Sequence, residues 1–273
     1  MQGYDGNGTV PRTGIAGSFR SYAKRVYGRP SLGRFLGHGL IFSLFSKFPT
    51  VFGCLLRSYA YRPVLGALGR RCLIESGVRF LHSRRVFLGD RVFIGERSFW
   101  DVGPSSAAIR IGDDSHIGRG AVLRTQQDEI AVGRNVNIST YALLYCYGGI
   151  EIGDDCMIAQ HVEIVGGTHN YDDVSTPMRL QGRSPSRIVI GPDCWIGSHA
   201  VITGNATIGR GSIIGAGAVV HKDIPEYSIA VGIPARVVRR RGKDKSEGGS
   251  QKAEVGNKKS EGGSQKSEVG NKK

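Results

Sequence analysis

His169 sits in the segment Gly166-Gly167-Thr168-His169-Asn170-Tyr171-Asp172-Asp173, among small and polar residues. An imidazole titrates near pH ~6.5, so it can take a proton from a hydroxyl at neutral pH and release it later. Asp172 and Asp173 are near enough in sequence to orient the ring, and a backbone carbonyl would serve equally. Residue types alone leave a second reading open, that of a solvated loop histidine. The other histidines have weaker settings. His116 and His161 follow repeat positions and could face solvent or a neighbouring subunit. His199 adjoins Trp195-Ile196-Gly197-Ser198, His221 precedes Lys222, and His38 and His82 have no accompanying motif, so a surface role is expected for each. The five cysteines (Cys54, Cys72, Cys146, Cys156, Cys194) are odd in number, widely spaced and without a C-x-x-C pair. That argues against a disulfide framework and a zinc ribbon, and suits a reducing cytoplasm.

A scaffold must hold such a histidine, and one is visible from about residue 72 to 238. Aliphatics recur every sixth position: Leu88 and Ile94, then Ile111, Ile117 and Leu123, then Val132, Ile138 and Leu144. The pattern resumes with Ile152, Ile158 and Ile164, and again from Ile190 through Ile196, Ile202, Ile208 and Ile214 to Val220. Glycine follows many of them, as at Gly95, Gly153 and Gly197, and a small or short residue stands four positions on, as at Ser98, Ala121, Cys156 and Cys194. The chain holds 41 glycines in 273 residues, roughly twice the usual ~7% share. A period of six suits neither a 3.6-residue helix nor a two-residue alternation. It suits a coil with flat six-residue faces, one inward aliphatic per face and a small residue near each corner. The glycine after the aliphatic is expected to let the chain turn where a side chain would crowd. Cys156 and Cys194 occupy the small slot, which reads as core packing.

The phase slips between Ile94 and Ile111, Leu123 and Val132, Leu144 and Ile152, and Ile164 and Ile190. Each slip marks an insertion. The last is the longest, and His169 stands at its mouth; a rigid coil carrying an extruded loop is where chemistry is sought.

The sustained repeat resembles the hexapeptide-repeat acyltransferases, over roughly residues 72–241. The resemblance implies a left-handed parallel β-helix, preceded here by a helical segment and followed by a disordered tail. It also implies a homotrimer with active sites between subunits. Galactoside and maltose acetyltransferases and those of capsule and colanic-acid synthesis carry a catalytic histidine at the position that His169 matches. The runs Asp193–Ser198, Ile214–Pro225 and Ala230–Arg239 match the family's CoA-binding end. By resemblance, Lys222, Arg236 and Arg239 would meet the nucleotide end of acetyl-CoA or another acyl-CoA. Ser198 and Ala216 would line the pantetheine arm, and Trp195 would pack beside the thioester. The family's acceptor-binding places fall on Asn137, Ser139 and Tyr147, and its acidic N-terminal acceptor contact has no counterpart. The implied reaction is direct transfer to a hydroxyl of a sugar or polysaccharide precursor, with His169 as general base, a backbone N–H near Ser198 steadying the oxyanion, and no metal. N-acylation of an amino sugar nucleotide is the alternative. A γ-class carbonic anhydrase recruiting His161 and His169 is the distant one, because the ligand spacing is wrong for that family.

Outside the repeat, residues 1–30 are polar, glycine-rich and basic without an apolar segment, so no export signal is expected. Within residues 31–71, Leu32, Phe35, Leu36, Leu40 and Leu44 form one helical stripe behind a Ser31 cap. Val51, Phe52, Leu55, Leu56 and Tyr59 form a second after Pro49. Two readings stand: a helical pair packing on and capping the next domain, or a membrane-surface anchor flanked by Lys24, Arg25, Arg29, Arg34, Arg57 and Arg62. Residues 246–259 recur as 260–273 with one change and few large apolar side chains, so the tail from 242 is expected to be disordered. A net charge of +14 suits an anionic cofactor or surface. No basic–aromatic module points to nucleic acid.

Overall fold

The computed structural model describes residues 32–103 and 107–242, with side chains from residue 37 onward. The expectations for residues 1–30, the Ser31 cap, the side chains of Leu32, Arg34, Phe35 and Leu36, and the tail from 243 lie outside the described residues.

Short strands wind into a parallel β-helix of three sheets, with seven, nine and seven strands. Face 1 runs from Ala67–Leu68 to Thr207–Ile208, and face 3 from Arg79–Leu81 to Val219–Val220. Face 2 runs from Leu73–Ile74 to Ser228–Val231, and its edge is closed by the antiparallel strand Arg236–Arg240. The six-residue period is the cause. Each face turns one aliphatic inward, and successive coils stack these in register, as Ile94, Ile117, Ile138, Ile158, Ile196 and Ile214 do on face 2. All six are buried, each contributing about 1.5–3 kcal/mol of burial. The small slot is inside too. Cys156 Sγ donates to Gly191 O at 3.1 Å and Cys194 Sγ to Gly209 O at 3.2 Å.

The crowding expected at the repeat glycines is present, but the turn itself lies elsewhere. Left-handed backbone falls two residues later, at Arg91, Asp114, Asn135, Asp155 and Asp193 on the first corner. On the second corner it falls at Arg97, Gly120, Tyr141, His161, His199 and Gly217. The glycine itself faces the next coil: a Cβ on Gly153 would meet Pro192 N at 2.6 Å, and one on Gly197 would meet Ala216 N at 2.6 Å. Close stacking of backbones, not φ, excludes a side chain there. All four phase slips lie at the third corner, between a face 3 strand and the next face 1 strand. Thus Ile130 pairs with Ile150 one coil on, whereas Ile150 pairs with Ile188.

Two helices, α1 (Leu32–Phe45) and α2 (Thr50–Ala60), lie at the N-terminal end. Ile41, Phe42, Phe45 and Ala60 pack against the core, and Phe42 meets Tyr61 edge-on at 4.9 Å. Burial pushes the Tyr61 phenol up to about 12. Arg57 flanks nothing: it is buried, donating to Ile74 O at 2.7 Å, Phe45 O at 2.9 Å and Phe48 O at 2.8 Å. One guanidinium thereby satisfies carbonyls at the end of α1 and ties both helices to the first coil. The expected apolar stripes are turned the other way. Leu40, Leu44, Val51, Phe52, Leu55 and Tyr59 are all exposed.

Candidate active site

The longest insertion folds as a hairpin arm on the third corner. After the face 3 strand Glu163–Gly166, Gly167 takes φ +109°, and a Cβ there would meet Tyr147 Cβ at 2.8 Å. Glycine is required on both counts. The strand Thr168–His169 then pairs antiparallel with Arg183–Ser184, setting His169 opposite Arg183. Polar side chains replace a core within the arm. Asn170 Nδ2 donates to Gln181 O at 3.0 Å, and its Oδ1 accepts from Ser184 Oγ at 2.6 Å. Gln181 Nε2 reaches Asp173 O and Thr176 O, each at 2.7 Å.

His169 is exposed. Asp173 does not orient it. Its carboxylate accepts from Ser175 N at 2.8 Å and Ser175 Oγ at 2.6 Å, and the hydrogen bonds from Ser175 and Thr176 lower its pKa to about 2. Among the described residues no hydrogen bond links Asp172 or Asp173 to the His169 ring. The arm is held instead by a network on the outer side of face 3 that residue spacing did not disclose. Arg183 Nη1 donates to Tyr145 OH at 2.9 Å, and its guanidinium stands 6.0 Å from the Tyr147 ring. Arg124 lies 5.4 Å from the Tyr145 ring and pairs with Asp101 at 3.1 Å, while Gln127 donates to Tyr147 OH at 2.6 Å. Beside this network an open cleft of about 430 Å³ is lined by Gln127, Asp128, Tyr147, Gly148, Pro185, Arg187 and Asn205. The alternation Leu144–Tyr145–Cys146 marks Tyr145 as outward-facing, but no sequence signal pairs it with Arg183, 38 residues away.

The second constellation lies on face 2 and the second corner. Trp195 is half exposed, and one ladder crosses the sheet from Trp195 through Ile213 and Ile229 to Arg239. Three strand spacings make that span about 14 Å. Arg236 lies on the same edge strand opposite Val231. At the corner, Ser198 O accepts from Gly217 N at 2.9 Å. At equivalent places on the first corner the backbone N–H is taken by a carboxylate of the next coil, as Arg134 N is by Asp154 at 2.7 Å. Beneath Ser198 the next coil offers Ala216, which has no side-chain acceptor, and no backbone acceptor pairs with the Ser198 N–H among the described residues.

His169 is not brought to these residues. It leaves from the third corner, whereas Ser198 and Ala216 stand on the second, so the width of face 3 separates them. Lys222 follows the last face 3 strand and shares the third corner with the arm. The acceptor places also divide: Asn137 is on face 2 and Ser139 on the second corner, but Tyr147 lies by the arm. His161 and His199 stack at 4.9 Å, with Tyr141 on His161 at 5.5 Å, forming a column on the second corner. His116 stacks on Phe93 at 4.6 Å, and His38 and His82 are half-buried instead of surface residues. Among the described residues no group of three or more His, Cys, Asp or Glu is placed to hold a metal ion.

A three-faced coil with this corner chemistry defines a class, and comparison with known proteins agrees. Residues 187–222 match the bacterial transferase hexapeptide family (six repeats), and residues 85–125 match the hexapeptide repeat of succinyl-transferase. The resemblance to the hexapeptide-repeat acyltransferases is borne out in these two segments. Among relatives, the chain is 37% identical over 164 residues to a Mycobacterium tuberculosis protein named as a probable acetyltransferase, covering 60% of this chain and 55% of that one. It is 40% identical over 111 residues to galactoside O-acetyltransferase of Escherichia coli, covering 40% and 53%. The matches thus span about half the length of these relatives. A solved Bacillus cereus N-acyltransferase, AntD, in complex with dTDP and 3-hydroxybutyryl-CoA, aligns at a TM-score of 0.47 and 19% identity, covering 66% of this chain and 85% of that one.

Proposed function

We propose that the protein is a CoA-dependent O-acyltransferase that moves an acetyl group from acetyl-CoA to a hydroxyl of a sugar or polysaccharide precursor. The observation that carries this is the face 2 ladder from Trp195 to Arg239. It offers an apolar ring, a shallow sheet surface and cationic side chains over about 14 Å, which suits an extended thiol-bearing arm ending in phosphates. Arg236 and Arg239 supply the cations of this face, Ser198 and Ala216 flank the extended ligand at the corner, and Lys222, on the third corner, reaches the phosphates only from a neighbouring copy.

In the reaction, His169 takes the proton of the acceptor hydroxyl as that oxygen attacks the thioester carbonyl carbon. The Ser198 N–H, with no competing acceptor, meets the charge that develops on the carbonyl oxygen. The C–S bond then breaks, the ester forms, and the proton held by His169 passes to the departing CoA sulfur. No acyl-enzyme is required. Because His169 and Ser198 stand on different corners, the working unit is an oligomer, a homotrimer by family resemblance. The third corner of one copy there faces the second corner of the next. A cytoplasmic location, at or near the membrane, fits the supply of acetyl-CoA and of lipid-linked acceptors.

The test is CoA thiol release from acetyl-CoA against a panel of sugars, glycolipids and nucleotide sugars. A product cleaved by mild base supports an ester. A base-resistant product is an amide and would replace O-acylation with N-acylation. Absence of acceptor-dependent thiol release across the panel would contradict the proposal.

A further inference from the structure

The helical pair α1 and α2 has two apolar faces, and the β-helix uses only one. Ile41, Phe42 and Phe45 face inward, and Arg57 locks the pair in place through three carbonyls. The opposite side displays Leu40, Leu44, Phe48, Val51, Phe52, Leu55 and Tyr59, of which Val51, Phe52 and Tyr59 are about two-thirds exposed or more, at 71%, 66% and 73%. Apolar side chains gathered on a fixed outer surface mark an interaction site.

The charge around this face says what it meets. Across residues 37–74 the sequence carries Lys47, Arg57, Arg62, Arg70 and Arg71 and not one aspartate or glutamate, and of these cations Arg57 is buried. Lys47 is exposed in the α1–α2 turn, and Arg62 is exposed just beyond α2, over the Tyr59 ring. A protein partner of ordinary composition would not demand that both helices and the residues beyond them lack a carboxylate. A surface of anionic lipid headgroups does, because every carboxylate near it is repelled and every cation attracted. The helices have 14 and 11 residues, and no helix among the described residues is long and apolar enough to cross a membrane. Lying in the interface with the apolar side down is the mode open to them.

We infer that the outer face of α1 and α2 docks the protein on an anionic lipid bilayer. Leu44, Phe48, Phe52 and Leu55 enter the headgroup–acyl boundary, and Lys47 and Arg62 meet the phosphates. The β-helix axis is thereby anchored at its N-terminal end, and the face 2 edge strand Arg236–Arg240 is left at the far end.

Flotation of the full chain with vesicles tests this. Phosphatidylglycerol and phosphatidylcholine in equal parts are compared with phosphatidylcholine alone, at low and high salt. Wild type floats with the anionic vesicles and not with the neutral ones. Phe52→Asp/Leu55→Asp, both exposed and therefore folded by circular dichroism, loses about tenfold or more in partitioning onto the anionic vesicles at low salt, because apolar insertion and charge attraction act together there, and high salt weakens the binding of wild type as well. Lys47→Glu/Arg62→Glu loses binding at low salt. Equal flotation of wild type and Phe52→Asp/Leu55→Asp overturns the inference, as does no flotation of wild type. So does a wild-type oligomer that Phe52→Asp/Leu55→Asp dissociates without lipid, which would make a second copy the occupant.

Discussion

The second and third corners of the β-helix are built from the same coils and differ in everything that matters for chemistry. The second corner repeats almost without change. An aliphatic is followed by two residues, a left-handed position and a buried small residue, coil after coil, so that even its histidines stack in a column. The third corner absorbs every insertion, and its longest one becomes the arm that holds His169. Regularity fixes donors at constant spacing, which is what an extended, sequence-independent ligand needs. Irregularity supplies side chains from distant positions, which is what an acceptor and a base need. The division predicts that the two corners fail differently.

The largest effect belongs to the arm. His169→Ala should lower kcat by at least about 100-fold, the ordinary contribution of a general base, while the unfolding midpoint stays put because the side chain is exposed; stopped acyl transfer and a thermal melt read the two. A loss within about tenfold would remove the base from the third corner. Ile138→Ala, in the stacked column, acts in the opposite sense. It should cost about 2–5 kcal/mol of stability by leaving a cavity, measured by denaturant unfolding, and leave the remaining folded fraction with an intact reaction. If the proposed donor site is right, Arg239→Ala should raise the KM for acetyl-CoA about tenfold with kcat nearly unchanged, since the side chain is assigned there to a phosphate and to no reacting atom. A fall in kcat instead would mean that the ladder from Trp195 does not carry the donor. The smallest effect is one of pH. The folded Asp173 carboxyl sits near 2, below its unfolded value of ~3.9, so its ordering of the arm is complete above that value and is lost as pH falls toward 2. Protection of the amides of residues 168–184, taken relative to intrinsic exchange at each pH, should fall over that window, and Asp173→Asn should abolish the dependence.

Much of this molecule was legible because its core is one-dimensional. Ile94, Ile138 and Ile196 each occupy the same environment, so a period read from the sequence locates every coil, and the phase slips locate the arm. Crowding at the repeat glycines was legible, but not that the left-handed turn falls two residues later, because a backbone clash with the next coil and a positive φ leave the same residue in the sequence. The helical stripes misled for a related reason. Leu40, Phe52 and Leu55 have the spacing of a buried face, but the burial went to Phe42, Phe45 and the aliphatic part of Arg57, which periodicity counts as the polar side. The network from Asp101 through Arg124 and Tyr145 to Arg183 joins residues more than eighty positions apart, and only the stacked coils bring them together.

The separation of His169 from Ser198 across face 3 is the central geometric claim, and mixing two inactive variants tests it most directly. His169→Ala removes the proposed base from the third corner, and Ala216→Trp, at an exposed position, places a large ring over the proposed donor site on the second. Coexpressed as mixed oligomers, the two should regain acyl transfer that neither shows alone, because one copy supplies an intact second corner and the other an intact third. Mixed oligomers as inactive as their parents would place the whole site within one chain and contradict the account.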